Sequence, residues 1–410
     1  MGPEEHAQRA IEAVVRDSYG RLVSFLAARS RDVASAEDAL GEAFVAALRA
    51  WPRDGVPDRP EAWLLKAARH RLIDHVRHDR VRADGAVTLR LAAERAEEAA
   101  MRTDFPDDRL KLLFVCAHPA IDPDAHTPLM LQTVLGLDAA RIARAFLVTP
   151  ATMSQRLVRA KVKIRDAGID FAVPGPGELA PRLEAVLEAV YAAYGTSWDD
   201  VAGADAKLRG LADEALWLAR VLVRLLPEEP EARGLLALML HCESRRPARR
   251  APDGAYVPLS EQDVTRWSRP LIQEAEQELT AAAAHGAMGR FQLEAAIQSV
   301  HAQRAVTGRT EWEAIALFYE ALVRRAPTLG ALVGRAAALG HARGAAAGLA
   351  ALEQIAPGPV ASYQPYWAVR AHLFHELGND GAADEAYARA IGLSDDPDVR
   401  AFLLRRRTAG

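Results

Sequence analysis

Arginine and lysine crowd into two short stretches of this sequence. Arg69, Arg71, Arg77, Arg80 and Arg82 fall in one, and Arg156, Arg159, Lys161, Lys163 and Arg165 in the other. Cationic side chains at that density neutralise phosphates, so each cluster is a candidate footprint for nucleic acid. A net charge of −4 and a pI near 6.3 speak against such a partner only if the sum is taken without the distribution. The acids of the C-terminal half offset the clusters in the total without having to sit beside them. Catalytic chemistry finds no comparable foothold. His75 with His78, and His372 with His375, stand three apart and could share a metal, but each lacks a third ligand of matching logic. His375-Glu376 is not followed by the second histidine of a zincin motif. No glycine-rich phosphate loop, nucleophile elbow or catalytic dyad is present. Cys116 and Cys242 lie far apart, outside any CxxC pattern, and read as small buried side chains. The residues therefore point to a non-enzymatic protein with no cofactor and no metal.

The elements that must position these clusters read as helices nearly throughout. Alanine, leucine, arginine and glutamate dominate, apolar residues recur at three- and four-residue steps, and prolines fall between the periodic stretches. The fold class expected is all-α. A chain of 410 residues, half of them hydrophobic, suggests two to four domains at roughly 100–200 residues each. No apolar run approaches the ~20 residues of a membrane helix. The acidic start MGPEEHAQRAIEAV lacks a signal-peptide layout, so a cytoplasmic protein with no membrane partner is expected. The expected divisions are residues 8–82 with four helices, a polar linker over 83–107, a second block over 108–170, and a long helical domain over 178–410. The Pro/Gly run Val173-Pro174-Gly175-Pro176-Gly177 marks the last boundary.

Within the first block, Val33, Ala36, Leu40, Ala43, Phe44, Ala47 and Leu48 make one apolar stripe, flanked by Glu37, Asp38 and Glu42. After the stretch Pro52 to Pro60 comes a second helix, with Trp63, Leu64, Ala67, Ala68, Leu72, Ile73 and Val76 at helical steps and Lys66, Arg69, Arg77 and Arg80 on the other side. This pair of stretches resembles region 2 of extracytoplasmic-function (ECF) sigma factors of the sigma-70 family. Ala36-Glu37-Asp38, Glu42 and Phe44 match one motif of that family; Ala62-Trp63-Leu64, Ala68, Asp74 and Arg77 match the next. The resemblance implies that Glu37, Asp38, Glu42 and Phe44 dock on RNA polymerase core. It also implies that Trp63, Lys66, Arg69, Asp74, Arg77 and Arg80, with the 52–60 stretch, melt and read the −10 promoter element. Extruded bases cost a few kcal/mol of stacking, which a cationic surface and base pockets must recover.

In the second block Ile142, Ala143 and Phe146 form the inward face of a short helix, Leu147-Val148-Thr149 a connector, and Thr149-Pro150 a capped start for the next helix. That is helix-turn-helix spacing. It resembles sigma region 4, with Ile142-Ala143, Thr152, Arg156-Leu157 and Arg159-Ala160 in the family pattern, although Leu147 replaces the usual turn glycine and Thr149-Pro150-Ala151 the usual Pro-Val-Gly. Thr152, Ser154, Gln155 and Arg156 are then candidates for −35 base contacts, and Arg159, Lys161 and Lys163 for phosphate. The stretches FVCAHPAIDPDAHTPLMLQTVLGL and GRFQLEAAIQSVHAQ resemble a subgroup carrying a long C-terminal helical extension.

That extension shows internal periodicity. Ala371, Phe374, Ala383, Tyr387 and Ala390 repeat the spacing of Ala302, Ala305, Ala314, Phe318 and Ala321, 69 residues apart (371 against 302). This is about twice the 34-residue tetratricopeptide (TPR) period. The intervening repeat, Gly334 to Pro357, is degenerate, and a further helix pair is expected from Trp217 to Leu240. The implied partners are RNA polymerase core, promoter DNA, and a protein or intramolecular partner of the C-terminal domain. That domain would either block core binding or, on the favoured reading, brace the two DNA modules. The alternative is a helix-turn-helix regulator with a TPR-like adaptor that never joins polymerase; an α-helical enzyme has no catalytic constellation behind it.

Overall fold

Why the chain is helical can be read at its punctuation. Asp32 caps one helix, its Oδ1 accepting from the Ala34 and Ser35 amides at 3.0 and 3.2 Å. Thr149 caps another through the Thr152 amide at 3.1 Å, with Pro150 in the first turn. In the computed structural model, which describes residues 2–79, 107–198 and 206–408 except positions 147, 287 and 395, the protein is all-α. The one β feature among the described residues is an isolated antiparallel bridge between Arg250 and Tyr256. The chain divides into two compact units, 1–193 and 194–410.

Unit 1 begins with three long helices, α1 (Pro3–Ser30), α2 (Val33–Asp54) and α3 (Pro60–Asp79). Three helices, rather than the four expected, thus lie among the described residues of the first block. Helix α2 runs through Pro52 to Asp54, so the loop expected from Pro52 shrinks to residues 55–59, opened by Gly55 at φ 86°. Then come α4 (Arg109–Cys116), α5 (Pro123–Thr133), α6 (Ala139–Ala145), α7 (Pro150–Asp166) and α8 (Pro176–Trp198). Leu22, Val23, Phe25 and Leu26 of α1 and Leu64, Leu65 and Ala68 of α3 are all at most 1 % exposed, so the first three helices share one dry core. Met153, Leu157, Ala160 and Ile164 give α7 a buried face at three- and four-residue steps.

Two glycines lock α1 onto α5. A Cβ on Gly20 would stand 2.1 Å from the Val134 carbonyl oxygen, and one on Gly136 would meet the Tyr19 ring at 2.9 Å. Gly136 is left-handed at φ 70° and ends α5 as an αL cap: its amide donates to Gln132 O, and the Leu137 amide reaches back to Leu131 O. Asp108 is 4 % exposed and holds Arg29 of α1 at 3.5 Å and Lys111 of α4 at 2.7 Å. Helix α8 is tied to its own unit by Thr127, whose hydroxyl donates to Ala189 O at 3.1 Å, and by Arg182, which donates to Phe114 O.

Unit 2 is built from helices joined by short turns except for the 245–268 segment: α9 (Ala206–Leu225) with α10 (Pro230–Ser244), then α11 (Arg269–Ala283), α12 (Arg290–Ala302), the single turn α13 (Arg304–Thr307) and α14 (Trp312–Arg325). There follow α15 (Leu329–Arg343) with α16 (Ala345–Glu353), the turn α17 (Pro357–Val360), α18 (Gln364–Glu376) with α19 (Asp380–Gly392), and α20 (Pro397–Thr408). Ala371, Ala383, Tyr387 and Ala390 do pack in one cluster with Phe374, whereas Ala305 is exposed on α13. The stretch that reads as degenerate still forms a helix pair, by a different device. Gly348 brings its Cα so near Gly340 that a Cβ would sit 3.0 Å from it and 2.8 Å from Ala336 O. Backbones touching through paired glycines replace the small-plus-aromatic pattern. GRFQLEAAIQSVHAQ is an anchor: Glu231 of α10 accepts from the Phe291 and Gln292 amides at 2.9 and 3.2 Å and leaves no room for a Cβ at Gly289.

Candidate functional site

The faces of α2 differ from the sequence expectation in an instructive way. Val33, Ala36, Ala39, Leu40, Ala43, Ala47 and Trp51 are buried, Phe44 is half-buried, and Leu48 is not inside at all. Leu48 and Val45 are 50 % and 47 % exposed, on one stripe with exposed Asp38, Gly41, Glu42 and Arg49. An acidic and apolar stripe is thus left in water on a helix whose other face is fully packed. Arg71 of α3 reaches Glu42 at 3.3 Å, both half-exposed, a pair that water screens heavily.

Glu37 does not belong to that stripe. It is held against Lys161 of α7 in an ion pair whose side chains are 13 % and 11 % exposed. Around it lie Tyr19, whose phenol is raised far above its ordinary value by burial and then by the charges of Glu37 and Asp38, and Cys116, whose thiol is pushed up to about 12 by burial and sits 3.4 Å from the Thr133 hydroxyl. One Glu37 oxygen, Oε1, has no hydrogen-bond partner. Desolvation raises the Glu37 carboxyl above its ordinary value and outweighs the lowering by Lys161. Folding thus takes up a proton here, and the stabilisation from this group is full below the ordinary value of 4.5 and lost as pH rises through the raised one. In urea titrations the midpoint of unit 1 should fall with pH across that window, and Glu37→Gln should flatten the profile. Parallel profiles for the two proteins would refute the assignment.

On α3, Trp63 packs edge-on against Trp51 at 5.6 Å and 71°, so it is half-buried and fixes α3 on α2. Lys66 is exposed and Arg69 half-buried. Asp74 and Arg77 fall on the C-terminal part of α3, where side chains are outside the described residues, as are Arg80, Arg82 and most of the 83–107 linker.

The short helix α6 and the longer α7 are joined by residues 146–149, of which Leu147 lies outside the described residues. Ile142 and Ala143 are buried and Phe146 half-buried. On α7, Ser154, Gln155 and Arg159 are exposed. Thr152 is exposed too, but its hydroxyl lies 2.8 Å from that of Thr149 in the cap. Arg156 is half-buried and donates to Asp124 O at 3.3 Å, and Lys161 is turned inward on Glu37. Two residues on the outer face were not singled out from sequence, Val158 at 58 % and Val162 at 39 % exposure. An apolar residue four positions from another inside a cationic cluster was the signal available.

Among the described residues no three or more metal-ligating side chains cluster. His372 pairs with Glu376 at 3.2 Å and His375 with Asp380 at 3.9 Å. Cys116 is buried, as expected, and Cys242 is only partly so. No helix among the described residues is long and apolar enough to cross a membrane.

Unit 1 thus carries an exposed acidic and apolar stripe on α2 and a capped, cation-bearing helix α7. A family model described as Sigma-70 region 2 matches residues 14–82, and one described as a family of unknown function (DUF6596) matches residues 182–283. The chain is 38% identical to an uncharacterised protein of Rhizobium meliloti (strain 1021) over 378 residues, 91% of this chain and 89% of the relative. It is 31% identical over 166 residues to the ECF RNA polymerase sigma factor SigC of Mycobacterium tuberculosis (strain CDC 1551 / Oshkosh) and, to the same extent, to the probable RNA polymerase sigma-C factor of Mycobacterium bovis, covering 40% of this chain and 85% of each relative. No solved structure matches the chain. The chain belongs to the sigma-70 family of RNA polymerase sigma factors.

Proposed function

We propose that the protein is an ECF-type alternative sigma factor that binds RNA polymerase core, directs initiation at particular promoters, and carries a TPR-like C-terminal domain that regulates or completes this activity. The observation that carries the reading is the exposed stripe Asp38, Glu42, Val45 and Leu48 on α2. It lies within the region 2 match and has the acidic-apolar chemistry of a protein contact. Core docking is assigned to this stripe; Glu37, paired inward, and Phe44, half-buried, support it from behind. The α3 cations, Lys66 foremost, are assigned to the −10 strand, with Trp63 holding α3 in place.

Helix α7 is assigned to the −35 element. Gln155 and Ser154 read base edges from the N-terminal half, Val158 and Val162 offer apolar contact of the kind that thymine methyls take, and Arg159 and Lys163 meet phosphate. A bidentate base contact by Gln155 is worth about 1–3 kcal/mol of discrimination. The alternative of a regulator that never joins polymerase leaves the α2 stripe without a use.

The test is core capture. Charge reversal at Asp38 and Glu42 with Leu48→Asp should cut pull-down of core enzyme at least tenfold while helical content and the α2–α7 contact persist. Wild-type core affinity in that folded variant would remove the sigma assignment. Run-off transcription on a −35 mutant panel separates the DNA arm, since Gln155→Ala should lose selectivity and Arg159→Ala should lose affinity evenly and more steeply with salt.

A further inference from the structure

The segment between α10 and α11 in unit 2 is built as a separate small device. Ala251 N donates to Ala255 O and Val257 N to Arg249 O, both at 3.0 Å, and Gly254 turns at φ 90°, making a tight hairpin that runs into a single helical turn at residues 259–261. One side of it is gripped through its main chain. Arg304, on α13, donates to Ser260 O at 2.8 Å and Gln262 O at 2.9 Å while lying over the Trp267 ring. The other side is gripped through side chains from α20. Phe402 meets the Tyr256 ring edge-on at 5.6 Å, Arg406 pairs with Glu261 and lies over Phe402, and Asp398 takes Arg250 at 2.5 Å with Asp396 at 3.6 Å. The bonded residues are about 42–44 apart on the first side and 145–148 on the second. The hairpin therefore spans from the middle of unit 2 to its last helix.

We propose that this hairpin is a releasable strap seated in a peptide-binding surface formed by Arg304, Phe402 and Arg406, which accepts an extended polypeptide bearing an aromatic residue and, a few positions on, a carboxylate. The strap itself specifies the occupant. A guanidinium clamping successive carbonyls reads extended backbone without regard to sequence, and an aromatic–aromatic contact beside an arginine–carboxylate pair supplies the selectivity. Release is favoured by how the strap is held. Pro252, Asp253, Gly254, Ser260 and Glu261 are exposed and the Arg406–Glu261 pair is about half-exposed, so water and salt screen that contact. Arg250 is held more tightly, at 17 % exposure, by Asp396 and Asp398. Helix α20 is the terminal element of its unit, with Leu403 its one buried side chain, which places it at the low-stability end of local opening. The family model of unknown function covers the strap (182–283) but stops before α20, so strap and seat lie in different parts of the sequence.

Amide hydrogen exchange on the full chain tests this. In the wild type the amides of Ala251, Val257 and α20 should exchange together by a sub-global opening, at least tenfold faster in 1 M than in 0.05 M salt, while α10 is unaffected. In Tyr256→Ala/Glu261→Ala, the α20 protection at low salt should fall at least tenfold. A synthetic peptide of residues 249–262 at millimolar concentration should restore it, and should fail to do so once Phe402→Ala is added. Exchange of strap and α20 only with α10, in global unfolding, would overturn release. Failure of the peptide to restore protection in the folded double variant would overturn the seat. Both outcomes are independent of whether the chain binds polymerase.

Discussion

Lys161→Met alone is expected to destabilise unit 1 by about 3–5 kcal/mol near neutral pH, and Lys161→Met with Glu37→Met to restore wild-type stability or exceed it. The single change leaves a carboxylate in a site where it is 13 % exposed and where one oxygen already lacks a partner. The double change leaves two neutral side chains of similar volume. Burial outweighs Lys161 in setting the Glu37 carboxyl, so desolvation costs this pair more than attraction returns, which is the condition under which a neutral replacement wins. The cost of Lys161→Met should also shrink as pH falls, because an unpaired Glu37 escapes by taking up a proton. Urea unfolding followed through the exchange of α2 amides, at pH 5 and pH 8, gives the four corners of the cycle. Additive single and double effects would mean that Glu37 and Lys161 do not meet in solution.

On the proposed function the pair serves alignment rather than stability. Glu37 lies behind the α2 docking stripe and Lys161 on the helix assigned to promoter DNA, so their contact sets α2 and α7 in one alignment. On the proposed function, a partner that takes α2 or α7 away from this alignment must break the pair. Binding at one surface is then coupled to the other by the same free energy in both directions. Fluorescence anisotropy of a −35 duplex with and without core enzyme, for wild type and for the double variant, measures that coupling.

How far the site was legible depended on the range of the interactions. The cap at Thr149 and the α7 face of Leu157 and Ala160 depend on residues within a few positions, and local rules suffice for them. The inward acid was not legible. Glu37, Asp38 and Glu42 all border the apolar stripe, and the residue that selects Glu37 lies 124 positions away. Leu48 and Trp51 are one turn apart, and which of them faces in is decided by Trp63 on the next helix. The seat of the strap could not be read for the same reason, since Glu261 and Arg406 are 145 residues apart. The helix pair at Gly334 to Pro357 was hidden differently: glycine-to-glycine contact leaves no side-chain signature for a repeat pattern to match.

Gly20→Ala is the sharpest test of how unit 1 is packed, because two effects of opposite sign compete. Inside an exposed helix the change would stabilise by roughly 0.5–1 kcal/mol through chain entropy alone. Here the new methyl would stand 2.1 Å from the Val134 carbonyl oxygen and 2.8 Å from its carbon, and backbone cannot rotate aside as a side chain would. Nor can α5 slide away cheaply. Its end is fixed by the capping bonds of the Gly136 and Leu137 amides, and Gly136 is pressed against the Tyr19 ring, one residue from Gly20. The contact should dominate, with a net loss of about 1–3 kcal/mol typical of overpacking and faster exchange in both α1 and α5. Gly41→Ala on α2 is the control, since nothing lies within 4 Å of a Cβ there and only the favourable term remains. Destabilisation at position 20 beside stabilisation at position 41 supports the interlock of α1 with α5; stabilisation at both positions would show that the two helices stand apart in the free chain.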